Sequence, residues 1–115
     1  PIMWAAIKKE NYKKKAENAA ILAEKGVKVS IITDDVRGVA FLAMNAGIAV
    51  QGGMSSDDAF RSITLTPAEV MGVGDRIGSL EPGKLADLVV YDRHPFDSRA
   101  RSLATMVEGQ IVHRA

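Results

Sequence analysis

Gly26-Val27-Lys28-Val29-Ser30-Ile31-Ile32-Thr33-Asp34 is the stretch whose reading decides the fold. Its period is two: Val27, Val29 and Ile31 point one way, and Lys28, Ser30 and Ile32 the other. β-branched residues dominate it, so it predicts a strand, with Asp34 at the strand end on the same side as Ser30 and Ile32. Just before it, Asn11–Lys25 has the period of a helix. Tyr12, Ala16, Ala19, Ala20 and Ala23 form a narrow small-residue face, away from Lys13, Lys14, Glu17 and Glu24. Gly26 supplies the helix stop, and Lys25 suits the negative end of the helix dipole. Helix, glycine, strand is the joint of an α/β unit.

On the far side of Asp34 a second helix is expected over about Arg37 to Ala46, stopped by Gly47. It has almost no polar face, and such helices are buried in something large. Two short helices follow. Ser55 with Asp58 caps Ser56–Ile63, with Met54 as a staple. Thr66 is expected as N-cap of the next, with Pro67 at its first position, Glu69 reaching back, and Gly72 and Gly74 ending it. Ile2–Ile7 is apolar but does not continue the face of the first helix, and reads as a separate helical turn.

The texture changes after Gly74. Pro82-Gly83 marks a turn, Leu85–Tyr91 a strand, and His94-Pro95 a loop. Leu103–Val107 and Gln110–His113 read as two strands joined at Glu108-Gly109, a two-residue hairpin turn. The boundary near Gly72–Gly78 separates an α/β part, residues 1–74, from a β-rich part, residues 75–115. Neither an internal repeat nor a low-complexity tract is present.

Composition narrows the function classes. The 115 residues carry 15 Lys+Arg against 14 Asp+Glu, a balance unlike that of a nucleic-acid binder. With no cysteine, disulfides, thiol nucleophiles, cysteine-based zinc sites and iron–sulfur clusters are excluded. The longest uncharged stretch, Gly38–Ser56, loses its apolar character near Val50, short of the roughly 17 to 25 residues of a membrane span. The N-terminus shows no leader pattern, and the expected location is cytoplasmic. A whole (β/α)₈ barrel needs at least about 200 residues, so any barrel signal in 115 comes from a piece of one.

Asp34 is the one position that points to chemistry. A carboxylate at the C-terminal end of a parallel strand lies where barrel and open α/β enzymes build their sites. It can ligate a divalent metal and take a proton from the attacking water; equally, Asp34 or Asp35 can cap the next helix. His94 and His113 are the only histidines, both far along the chain in the β-rich part, and no His-x-His or His-Glu-x-x-His spacing occurs. Gly72-x-Gly74 fails as a dinucleotide fingerprint, since it follows a helix and lacks a third glycine. Lys8, Lys9 and Lys13–Lys15 wrap around their helix and read as a solvated surface.

Three runs carry a family resemblance: Ile63-Thr64-Leu65-Thr66-Pro67-Ala68-Glu69, Asp75-Arg76-Ile77-Gly78-Ser79-Leu80-Glu81-Pro82-Gly83-Lys84, and Ala86-Asp87-Leu88-Val89-Val90-Tyr91-Asp92. Together they resemble the C-terminal region of the amidohydrolase superfamily, nearest to its imidazolonepropionase-like branch. Gly26–Asp34 resembles that family's eighth barrel strand, and Val107–Val112 its closing hairpin. The resemblance implies an α/β fold: the last βα units of a TIM-type (β/α)₈ barrel, followed by strands of a small composite β-sandwich, a fragment of a larger fold. It implies a metal-dependent hydrolase of C–N bonds in small-molecule substrates, with a divalent metal, zinc by expectation. Asp34 alone matches a family ligand, the carboxylate that binds the metal and shuttles the water's proton. The family's other ligands lie upstream of anything present, so the short chain is expected to be inactive by itself. Self-association, or an upstream chain, is expected to cover its open faces. A non-catalytic interaction module derived from the same region is the alternative.

Overall fold

A computed structural model describes residues 15–34 and 39–115 of the chain. The apolar stretch Ile2–Ile7, residues 11–14 of the expected first helix and Asp35 as a cap lie outside these residues; within them, Lys15, Ala16 and Glu17 are not helical. Helix α1 spans Asn18–Glu24, α2 Leu42–Gln51, α3 Ser56–Arg61 and α4 Leu65–Val70, with a 3₁₀ turn, Val39–Phe41, leading into α2. Strands β1 (Leu88–Tyr91), β2 (Ser102–Val107) and β3 (Gln110–Arg114) complete the element order. Among the described residues no helix is long and apolar enough to cross a membrane.

The helix ends follow local chemistry. At the end of α1, Gly26 takes φ +76°, the Gly26 N–H donates to Ala23 O at 2.9 Å, and Val27 N–H donates to Leu22 O at 3.1 Å. This double closure satisfies carbonyls that the helix leaves open, and glycine adopts its positive φ without a Cβ penalty. The ends of α2 and α4 close through the same pair of bonds. Ser55 caps α3 as expected: its Oγ accepts from Asp58 N–H at 3.0 Å and donates to the Asp58 carboxylate at 2.7 Å.

Helix boundaries differ from expectation at several points: α1 starts at Asn18, the α-helical part of α2 starts at Leu42, and α3 ends at Arg61, while two further shifts have a visible cause. Helix α2 does not stop at Gly47 but runs on to Gln51. Phe96, from the loop after β1, sits on Gly47 at ordinary van der Waals distance (3.4 Å to the position of a Cβ), so the glycine is covered within the helix. Helix α4 begins at Leu65, so Thr66 lies inside its first turn and does not cap it. Pro67 is tolerated there because the first-turn N–H groups have no helical acceptor. The Thr64 hydroxyl donates to Phe60 O instead, and the Glu69 carboxylate pairs with Lys28 Nζ at 2.8 Å.

The helices pack through very small side chains. Ala20, Ala46, Ala49, Met54 and Ala59 form the buried cluster, flanked by Ala19, Ala23, Val29, Ile31, Val50, Ile63 and Phe96. Methyl-sized contacts let backbones approach closely: Gly52 lies against the backbone of Ala16 with no space for a Cβ. The larger apolar residues Ile21, Leu22, Phe41 and Met44 face outward. The Cα radius of gyration, 15.1 Å, exceeds the roughly 13 Å of a compact domain this long, as expected when one small core does not gather the whole chain.

Val27–Thr33 is extended but joins no sheet among the described residues, because a strand exists only through its neighbours. Its alternation is as expected from Val29 onward but not at Val27, which is exposed. Val29 and Ile31 pack on the helices, whereas Ser30 and Ile32 face away, Ile32 being 68% exposed.

The β-rich part is one antiparallel meander in the order β1-β2-β3. Leu88 pairs with Met106, Val90 with Ala104, Thr105 with His113, and Val107 with Gln110. The β2–β3 turn has φ +48° at Glu108 and +81° at Gly109, the two positive values of a type I′ hairpin. Strand β1 starts three residues later than expected because its approach is engaged elsewhere. Leu85 N–H donates to Arg76 O, Ala86 O accepts from Gly109 N–H, and the Asp87 carboxylate accepts from Glu108 N–H at 2.7 Å.

Candidate active-site strand and its carboxylate

Asp34 ends the extended segment with its backbone at φ +39°, a left-handed conformation that aspartate tolerates better than most residues. The chain thus turns out of the strand at this residue. Asp34 is exposed and shares the Ser30/Ile32 face. In a barrel, the helices cover the outside of each strand, so the face pointing away from them is the interior. The Asp34 residue thus stands on the side of the segment that faces away from the helices.

Two contacts grip the segment just before this point. Ile31 N–H donates to Ser62 O at 3.0 Å, and Asn45 Nδ2 on α2 donates to Ile32 O at 3.4 Å. Ser62 is itself buried, its hydroxyl donating to Ala59 O.

The other titratable residues lie elsewhere. At the opposite, N-terminal end of the strand, Gly26–Val29, Met54, Arg61 and Glu69 line an open cleft of about 220 Å³. The Lys28 ammonium, hydrogen-bonded to Glu69, holds that carboxyl below its usual range, helped by Arg61 at 3.9 Å. Five residues of extended chain, about 16 Å, separate Val29 from Asp34. His94 sits in the loop after β1, its Nδ1 accepting from Phe96 N–H at 3.2 Å and its ring edge-on to Phe96. His113 is exposed on β3. Neither joins Asp34, and among the described residues no three His, Cys, Asp or Glu side chains come together as a metal centre.

The carboxylate chemistry still fits a cation. Asp34 presents a hard oxygen donor that makes no hydrogen bond or ion pair with any described side chain, suited to one position of a metal shell. Asn45 carries one signal in the sequence: it is the sole polar side chain in Val39–Val50.

The model of the Amidohydrolase family matches residues 4–112. The imidazolonepropionase of Geobacillus sp. (strain WCH70) is 37% identical over 83 residues, covering 68% of this chain and 19% of the relative. A 5-methylthioadenosine/S-adenosylhomocysteine deaminase from Teredinibacter turnerae (strain ATCC 39867 / T7901) is 32% identical over 108 residues, covering 83% and 24%. The crystal structure of an amidohydrolase from Thermotoga maritima MSB8 superposes with a TM-score of 0.89 at 36% identity, over 94% of this chain and 28% of that one. The chain therefore spans about a fifth to a quarter of the length of these curated relatives. The chain belongs to the amidohydrolase family.

Proposed function

We propose that these residues are the C-terminal part of a metal-dependent amidohydrolase that hydrolyses C–N bonds in small molecules. The observation that supports this reading is Asp34 itself: exposed on the Ser30/Ile32 side, turned to φ +39°, its carboxylate unengaged by described side chains. The names of the relatives, an imidazolonepropionase and a deaminase among them, point to carbon–nitrogen chemistry. Residues 1–74 are assigned to the closing units of a TIM barrel, and residues 75–115 to a composite β-sandwich to which β1–β3 contribute one sheet.

On this reading Asp34 supplies one ligand to a divalent cation, zinc by preference. A cation held there acidifies the attacking water. Asp34 accepts the proton of that water and passes it to the leaving nitrogen. A catalytic metal site takes about three protein ligands, and the remaining ones are assigned to the part of the relatives' length that this chain does not span. The 115 residues alone are then inactive, and their outward-facing apolar residues are covered by the neighbouring barrel units or by a second copy.

The test uses the full-length protein. Asp34→Asn removes both the charge and the proton acceptor, and metal content together with amide hydrolysis should fall, the latter by about 10²-fold or more. Full metal occupancy and unchanged turnover in Asp34→Asn would refute the assignment. So would metal-dependent hydrolysis by the isolated 115-residue chain that is lost on Asp34→Ala, as far as the inactivity of the short chain is concerned.

A further inference from the structure

We infer that Asn45 is a positioning residue for Asp34: through the carbonyl of Ile32 it sets where the strand ends and so where the carboxylate stands. The inference rests on the metal-ligand reading of Asp34. A barrel strand is ordinarily fixed by ladder bonds to its neighbours, but close to Asp34 the described contacts come from the helical layer. Residues 31 and 32 of an extended chain direct their backbone polar groups to opposite edges. Ile31 N–H is held on one edge by Ser62 O at 3.0 Å, and Ile32 C=O on the other by Asn45 Nδ2 at 3.4 Å. Two residues later the backbone turns to φ +39° at Asp34. The grip is therefore applied directly before the turn that aims the carboxylate.

The composition of α2 supports the same reading. From Val39 to Val50 every side chain except Asn45 is apolar or absent. An amide half-buried in such a helix is costly unless bonded. A leucine or alanine at this position would satisfy the packing as well. What only the amide provides is a donor toward the strand, one N–H aimed at a carbonyl that has no helical partner. Phe96, seated on Gly47 two residues further along, holds this part of α2 from its other side.

The test again uses the full-length protein, with two variants that fail differently. Asn45→Ala removes the donor; Asn45→Asp keeps the shape but turns an acceptor toward the Ile32 carbonyl. Cobalt(II) serves as the probe, because its visible absorption reports ligand geometry, and zinc affinity is measured by competition with a chelator. Both variants should bind zinc about tenfold or more weakly and alter the cobalt spectrum, while the metal-free proteins melt within a few degrees of the parent. Asn45→Gln, which retains the donor, should recover part of the affinity. Zinc affinity and cobalt spectrum unchanged in Asn45→Asp would overturn the inference. Asp34→Asn, run in parallel, separates the two claims. If it abolishes binding while both Asn45 variants bind normally, positioning by Asn45 fails alone; if it binds normally, the ligand reading fails and this inference falls with it.

Discussion

Gly78 and Gly83 have nearly the same backbone, φ +92° and +93°, in entirely different surroundings. A Cβ at Gly78 would lie 2.9 Å from both Ala68 Cβ and Leu65 Cα and 3.0 Å from Thr64 O. At Gly83 it would meet nothing within 4 Å. Alanine at either site pays the left-handed strain, about 1–2 kcal/mol, offset by a similar loss of unfolded-chain freedom of roughly 0.4–1 kcal/mol. Those contributions cancel when the two variants are compared. What is left is the overlap at Gly78, and because two of the three neighbours are backbone atoms, of Leu65 in α4 and of Thr64 just before it, it cannot be relieved by a rotamer change. Forcing atoms into such a site costs about 1–3 kcal/mol. Gly78→Ala should therefore be less stable than Gly83→Ala by about 2 kcal/mol, which at a slope of roughly 2 kcal/mol per molar urea separates their midpoints by about 1 M. Urea unfolding followed by far-ultraviolet circular dichroism reads this difference. Coincident midpoints would show that the packing of the Gly78 turn on α4 does not contribute to stability.

Two further perturbations test local geometry. Asp97 accepts from the Arg99 side chain at 3.0 and 3.1 Å and from its backbone N–H at 2.9 Å, and these bonds, the side-chain ones foremost, lower its carboxyl from the usual 3.8 to about 2. A depressed carboxyl stabilises the fold above its unfolded value and loses that contribution as pH falls from about 4 through 2; in Arg99→Leu the carbon-13 titration of Asp97 should move up toward 3.8, and an unmoved midpoint contradicts the assignment. Glu108 holds φ +48° in the hairpin turn, a conformation asparagine adopts more readily. Glu108→Asn should raise stability by about 0.5–1 kcal/mol, read as a higher thermal midpoint, and a lower one would contradict the turn geometry.

Where neighbours in sequence decided the outcome, the sequence was legible. The closure of α1 at Gly26, the Ser55 cap and the Glu108-Gly109 hairpin each depend on residues within a few positions of one another. Two of the misplaced boundaries depend on distant ones. Gly47 stays helical under Phe96, 49 positions on, and Glu69 turns from capping to Lys28, 41 positions back. Periodicity put Asp34 on one side with Ser30 and Ile32, and all three are exposed in the structure. Ladder pairing of Val27–Thr33 was not legible, since it belongs to whatever lies alongside. Asn45 was overlooked because an amide in an apolar helix reveals its role only once its acceptor, the Ile32 carbonyl, is in view.

The alanine interior has a consequence for how this segment varies over time. Apart from Met54, every buried apolar side chain among the described residues is a single methyl group. Each such position is boxed in from both sides: a larger residue has no volume to enter, and glycine forfeits helix propensity of about 1 kcal/mol. Ala20, Ala46, Ala49, Ala59 and Ala68 should thus remain alanine, or at most serine, across long divergence, as firmly as a catalytic residue would. Invariance at these five positions reports the spacing of helices and carries no news of chemistry.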